Sequence, residues 1–341
     1  MHIYYDHPNC QHHVERLNLQ TATNSAVFQV PFPYDRGAGE AFEQRLDQAL
    51  LNYDRIAILV SELHQRPVEF CLRYQNPKIK YFTCGFIKGI DSVPWMDWFI
   101  TSIIFYKTSN VLNQLTPYQP KDKFFDILLG LEKPHRDIIY NYIIDNNLNN
   151  KVLMSYLKEQ KKIVVGEDHS GWIWETKGLN IDPGIDLTWT VTQIKYYGHT
   201  MSLSQVVPIS IYNQTAYSVV AESNYFNYFN FYTEKIVKPI LAERLFIVVA
   251  GQHYLKNLRS LGFKTFNDII DETYDDIEDD NTRFKLVCEQ IKYLTEQPQD
   301  KILEKIRPIA EHNRQIMLTT DWYGIFSKRL REFLLAHTEQ N

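Results

Sequence analysis

The segment Tyr217-Ser218-Val219-Val220-Ala221-Glu222-Ser223 reads as a buried strand ending in a carboxylate. Beyond an Asn- and aromatic-rich loop, Asn224 to Phe231, comes Tyr232-Thr233-Glu234-Lys235, where Thr233 can cap a helix whose first turn holds Glu234 and Lys235. Such a helix start gathers unpaired backbone N–H groups and an ammonium, which suits a diphosphate, and leaves Glu234 to bind ribose hydroxyls. The same spacing describes an ordinary capped helix with a solvated Glu–Lys pair.

A second candidate is Leu128-Leu129-Gly130-Leu131-Glu132-Lys133-Pro134-His135-Arg136, a strand, a short turn and a helix with proline in its first turn. His135 and Arg136 then stand at the carboxyl end of the strand, within reach of a ligand phosphate. Arg136 with Lys235 makes a two-cation clamp, which stabilises the charge growing on a departing nucleoside diphosphate without needing a metal. The alternative is Arg136 paired with Asp137 on a solvated face.

The run Glu222-Ser223, aromatic loop, Tyr232-Thr233-Glu234-Lys235, helix, then Phe246-Ile247-Val248-Val249-Ala250-Gly251 resembles the donor-binding core of the bacterial α-1,3-fucosyltransferases of family 10 and related GT-B glycosyltransferases. The resemblance covers about a third of the chain. It implies two Rossmann-like domains facing each other across a cleft, with a nucleotide sugar, GDP- or UDP-linked, as co-substrate and no further cofactor. It also implies that Glu234 meets the ribose, Lys235 and Arg136 the diphosphate, and Glu222 the sugar, with His135, Ser223 and Gly251 in the same donor site. Ser223 stands where that family has Asn, the aromatic loop is longer, and Lys238-Pro239 follows the motif.

Transfer to a hydroxyl needs a general base. The apolar run Ile56–Val60 ends in Ser61-Glu62-Leu63-His64, which places a carboxylate and an imidazole at a strand tip, with Glu62 the first candidate and His64 the second. A capping or surface role fits these two equally. Asp6 and His7 are a further base pair, and His12-His13 lack a carboxylate at ligand spacing, so no metal is assigned. The acidic run Asp271 to Asp280 precedes a helix instead of ending a strand, and reads as a solvated helix entry. Arg36-Gly37-Ala38-Gly39-Glu40 reads as a glycine loop opening a helix, without a phosphate-loop lysine, and Tyr254 to Phe263 reads as an amphipathic helix with a Gly stop.

The elements that must position these residues alternate as in a parallel sheet covered by helices. Strands are expected at Ile3–Tyr5, Val27–Val30, Ile56–Val60 and Ile79–Cys84, with helices at Glu40–Leu51 and Pro67–Tyr74. Leu115 to Lys123, with two prolines, reads as an interdomain linker. Past it come strands Phe124–Leu129, Val152–Tyr156, Ala216–Ala221 and Leu245–Ala250, and helices Pro134–Asn147, Thr233–Ala242 and Tyr254–Leu261. Helices near Asp280–Leu294, Asp300–Ile316 and Tyr323–Leu335 close the chain, and Gly166 to Ser204 reads as a long functional or irregular insertion. The expected domains are 1–118 on the acceptor side, 119–322 for the nucleotide sugar, and a last helix, 323–341, returning to the first domain.

Composition bounds the partners. The chain has 341 residues, 44% hydrophobic and 14% aromatic, enough for a large core and against disorder. With 36 Lys+Arg against 41 Asp+Glu, no global field draws it to a polyanion. Its four cysteines form no CxxC pair, which fits free thiols in a reducing cytoplasm, and Trp98 to Tyr106 is half of what a bilayer needs. The expected reaction is glycosyl transfer to a saccharide or envelope glycan. Transfer to a hydroxymethylated DNA base, a non-catalytic nucleotide- or glycan-binding module, and a nucleotide-sugar epimerase remain alternatives.

Overall fold

In the computed structural model, the described residues are 2–4, 24–31, 34–95, 97–158, 161–165, 193–197 and 199–336. In chain order the strands are β1 (His2–Tyr4), β2 (Ser25–Gln29), β3 (Arg55–Val60), β4 (Ile79–Thr83), β5 (Gly85–Ile87), β6 (Ser92–Pro94) and β7 (Lys123–Leu131). They continue as β8 (Val152–Lys158), β9 (Lys161–Val165), β10 (Gln193–Tyr196), β11 (His199–Ser202), β12 (Thr215–Ala221), β13 (Phe229–Phe231) and β14 (Phe246–Val249). The α-helices are α1 (Arg36–Asn52), α2 (Gln65–Arg73), α3 (Asp97–Thr108), α4 (Pro134–Asp145), α5 (Ile209–Gln214) and α6 (Glu234–Leu241). After them come α7 (Tyr254–Ser260), α8 (Asp280–Thr295), α9 (Gln299–Thr319) and α10 (Trp322–Leu335).

The fold is mixed α/β with parallel sheets, and the chain divides into two compact units. The first comprises residues 1–100, 228–231 and 321–341. Its sheet runs β1-β2-β3-β4-β6 with every neighbouring pair parallel. The unbroken apolar runs of β2 and β3, buried from Ala26 to Phe28 and from Ile56 to Val60, are what a sheet covered on both faces requires. Helix α10 belongs to this unit: Phe326 stacks on Trp95 at 5.0 Å and meets Phe82 edge-on at 5.7 Å. Ser25 Oγ, buried, donates to the Leu334 carbonyl at 3.1 Å.

β13, from the aromatic loop, pairs antiparallel with β5 in this unit. Gly85 is what lets them approach, since a Cβ there would lie 1.8 Å from the Asn230 carbonyl oxygen.

The second unit comprises residues 101–227 and 232–320, so the chain passes between the units inside α3. Leu115 to Lys123, whose prolines suggest a linker, lies within this second unit, with the Lys121 backbone tied to Gln299 at 2.7 and 3.0 Å. Its sheet is ordered β14-β12-β7-β8-β9, parallel except for the antiparallel β8–β9 pair. The order places the successive strands β7 and β8 side by side, whereas β12 returns to the other flank of β7. The strand order therefore reverses between β7 and β12, the kind of position at which open α/β sheets bind ligands beyond their carboxyl ends. At the opposite end of these strands, Arg244 holds the sheet together. Its guanidinium donates to Asp126 Oδ1 at 2.9 Å, to Ser218 Oγ at 2.9 Å and to the carbonyls of Tyr212, Thr215 and Tyr217.

Two local readings change. Gly37 and Gly39 lie inside α1, which Asp35 caps through Ala38 N at 2.8 Å, so this glycine pair forms a helical turn and not a loop. Part of the stretch from Gly166 to Ser204 is an antiparallel hairpin, β10–β11. Among the described residues, no helix is long and apolar enough to cross a membrane. Cys71, Cys84 and Cys288 are buried free thiols, whereas Cys10, Asp6, His7, His12 and His13 lie outside the described residues.

Candidate functional site

The site grows from the carboxyl ends of β7 and β12. Beyond β12, Thr233 caps α6, its Oγ1 accepting from Lys235 N at 3.3 Å and donating to Glu222 Oε2 at 2.7 Å. Tyr254 OH donates to the other oxygen of Glu222 at 2.7 Å. Glu222 is only 1% exposed, and burial pushes its carboxyl above the usual range. It is a brace beneath the start of α6, not a group on a pocket wall where a sugar would meet it.

Lys235 sits beside this brace, its Nζ 3.4 Å from Thr233 Oγ1. Its Nζ donates to Glu234 Oε1 at 2.8 Å and to Ser223 Oγ at 3.2 Å. Burial pushes the Glu234 carboxyl up, but the ammoniums of Lys235 and Lys238 outweigh it and hold it below the usual range. Glu234 is therefore an acceptor at neutral pH.

Beyond β7, the residue that joins Lys235 is Lys133, at the cap position of α4, whose ammonium donates to the Ser223 carbonyl. Burial, then the neighbouring Arg136 and Lys235 charges, pushes Lys133 down to about 8. Arg136 and His135, expected at the phosphate, are turned inward. Arg136 is 4% exposed, and donates through Nη1 to the Leu131 carbonyl at 2.6 Å and through Nη2 to the Glu222 carbonyl at 3.2 Å. His135 is fully buried, with Nε2 3.0 Å from the same Glu222 carbonyl, and burial drives its imidazole down to about 3, so it is neutral. Asp137, the alternative partner of Arg136, accepts from Tyr156 OH at 3.0 Å. Both nitrogenous side chains thus fasten the turn after β12 to the turn after β7.

Gly251 is likewise structural in its geometry: a Cβ there would lie 2.2 Å from the Phe226 carbonyl oxygen, so only glycine lets the aromatic loop rest on the end of β14.

Beside this group lies a pocket of 120 Å³ lined by Asp126, Leu128 and Gly130 of β7, Ser218 to Ala221 of β12, Glu234, Lys235 and Lys238 of α6, and Ser204 and Tyr212. The alternation of Asp126, Leu128 and Gly130 puts them on one face of the strand. At Gly130 a side chain would crowd Arg136 Nη1, 3.1 Å from the Cβ position. The β7–β12 wall is apolar at Leu128 and from Val219 to Ala221 and polar at Asp126 and Ser218, and the α6 wall carries a carboxylate between two ammoniums. That arrangement can hold a ligand with a flat apolar part, hydroxyl donors and a multiply charged anion.

No family model matches the chain, and no curated protein does. Three solved chains match. One of them, titled "Crystal Structure of alpha1,3-Fucosyltransferase", is 12% identical, with 89% of this chain and 93% of that chain covered and a TM-score of 0.31. A likeness this loose assigns no residue a role.

In the first unit, β3 delivers Glu62 and His64 together, with His64 Nε2 2.8 Å from Glu62 Oε2. The two side chains are 22% and 45% exposed. The His64 ring stands edge-on to Phe231 at 6.2 Å. Asp97, at the start of α3, is pushed up to about 6 by burial and then by the charge of Glu62. A carboxylate, an imidazole and a second carboxyl near neutrality can accept and pass on a proton.

The acidic run is less solvated than its composition suggests. Glu272 accepts from Phe266 N at 2.7 Å and Thr265 Oγ1 at 2.6 Å, and Asp275 caps α7 through Leu255 N and Lys256 N at 2.8 and 2.9 Å. Asp279 and Asp280 form the expected entry to α8, Asp279 accepting from Thr282 N at 2.8 Å and Asp280 standing in the first turn. Lys133 and Asp97 went unread in the sequence. For Lys133 a signal existed, a lysine between a strand end and a helix-opening proline.

Proposed function

We propose that the chain is a glycosyltransferase that moves a sugar from a GDP- or UDP-linked donor to a hydroxyl on a saccharide or envelope glycan. The observation that carries this reading is the meeting of Lys133 and Lys235 on Ser223 at the strand-order reversal between β7 and β12. In this reading the two ammoniums hold the diphosphate, with the amino end of α6 behind them. Glu234 accepts the ribose hydroxyls, and the apolar part of the β7–β12 wall, Leu128 and Val219 to Ala221, receives the base. As the glycosidic bond breaks, the leaving diphosphate gains charge, and prepositioned ammoniums stabilise that charge without a metal.

The second unit then serves as the donor domain of a GT-B enzyme and the first as its acceptor domain. Glu62 takes the proton of the attacking hydroxyl, with His64 as its hydrogen-bonded partner. Arg136, His135, Glu222 and Gly251 hold the turns that carry the lysines and Ser223.

The test is nucleotide release from GDP-, UDP- and CMP-sugars by purified protein, with and without a mixture of free saccharides. Release that Lys235→Ala abolishes, and that saccharides accelerate, supports transfer. Donor binding with no release under either condition would reduce the chain to a binding module, and interconversion of the donor sugar without an acceptor would make it an epimerase.

A further inference from the structure

At the carboxyl end of β2, next to β3, Gln29 carries a carboxamide that is 3% exposed. Its Nε2 reaches Ser61 Oγ at 3.5 Å, a long bond, and its Oε1 is buried with no hydrogen-bond partner among the described residues. Leaving a buried amide oxygen unmet forfeits its hydration with nothing in return, and a turned amide would only exchange which end goes unmet. Such a group calls for an ordered water, an ion or a ligand hydroxyl to complete it. Ser61 is followed directly by Glu62, whose carboxylate is paired with His64. The end of β2 and the end of β3 therefore bring a buried, unmet amide against the residue that precedes a partly exposed carboxylate, itself paired with an imidazole.

We infer that Gln29, Ser61 and Glu62 form a subsite for a polyhydroxylated ligand, in which one hydroxyl donates to the Gln29 amide oxygen while a neighbouring hydroxyl donates to Glu62. A carbohydrate fits because its vicinal hydroxyls are both donors and acceptors and lie a hydrogen bond's length apart. The amide oxygen and the carboxylate ask for donors, and Ser61 can serve either way. The neutral amide fixes the ring, so that one hydroxyl alone faces the carboxylate. Calling this ligand the acceptor rests on the transferase reading, but the site itself does not.

The experiment is saturation-transfer NMR of wild-type protein, Gln29→Met and Ser61→Ala with galactose, N-acetylglucosamine and lactose, with UDP and GDP titrated separately. Binding of at least one saccharide is expected. It should weaken about five- to tenfold in Gln29→Met and about two- to fivefold in Ser61→Ala, the range for one neutral hydrogen bond, while nucleotide binding is unchanged. Should Gln29→Met fail to fold, the half-buried Ser61 position decides alone. Saccharide binding that both variants retain in full overturns the subsite. So does the absence of saccharide binding in protein that still binds a nucleoside diphosphate, an outcome that leaves the donor reading standing.

Discussion

Lys133 and Lys235 are held on one residue: the first ammonium donates to the Ser223 carbonyl and the second to the Ser223 hydroxyl. Two cations brought together by strands that flank a strand-order reversal repel one another, and part of the cost shows in Lys133, pushed down to about 8. A bound dianion would remove that cost.

A pH dependence follows. A bound nucleoside diphosphate would restore the ammonium of Lys133, so binding should take up protons near pH 8 and affinity should fall as pH rises from 7 to 9. Between those limits the wild type should lose about tenfold in affinity. Lys133→Ala should bind more weakly at pH 7 and vary less over the range. Calorimetric titrations in two buffers of different ionisation enthalpy measure the proton uptake directly.

His135 gives stability a different pH signature. Its imidazole is held near 3 in the folded chain and returns to about 6.5 when unfolded, so it stays neutral in the native state. Its stabilising effect is complete above pH 6.5 and is lost as pH falls, because only the unfolded chain takes the proton. From pH 7 to pH 5 the wild type should lose about 2 kcal/mol more than His135→Gln. Urea denaturation of both proteins at each pH checks the difference.

Two glycines separate close packing from mere helix content. Gly251→Ala must move the Phe226 carbonyl, 2.2 Å from the new methyl, and should cost about 2–4 kcal/mol. Gly37→Ala, inside α1 with its nearest neighbour 3.8 Å away, should gain about 0.5–1 kcal/mol. Thermal melts of the two variants should shift in opposite directions.

Much of this was legible in the sequence because the signals are local. The apolar runs of β3 and β12, the cap at Thr233 and the proline that opens α4 each fix an element within a residue or two. What stayed hidden depends on partners far along the chain. Arg136 reads as an exposed cation next to a strand end, yet its direction is set by the Glu222 carbonyl 86 residues away. β13 is invisible in an Asn/aromatic loop because its three residues become a strand only by pairing with β5. Gln29 is one polar letter in a strand pattern, and the unmet end of its amide appears only once β3 lies beside it.

Titration of UDP and GDP into wild type, both single lysine-to-alanine variants and the double variant decides whether Lys133 and Lys235 together grip a diphosphate. One nucleoside diphosphate should bind per chain, each single change weakening it about tenfold and the double change at least a hundredfold, the scale of two lost charge-assisted hydrogen bonds. No binding to the wild type, or equal binding to the double variant, would contradict it.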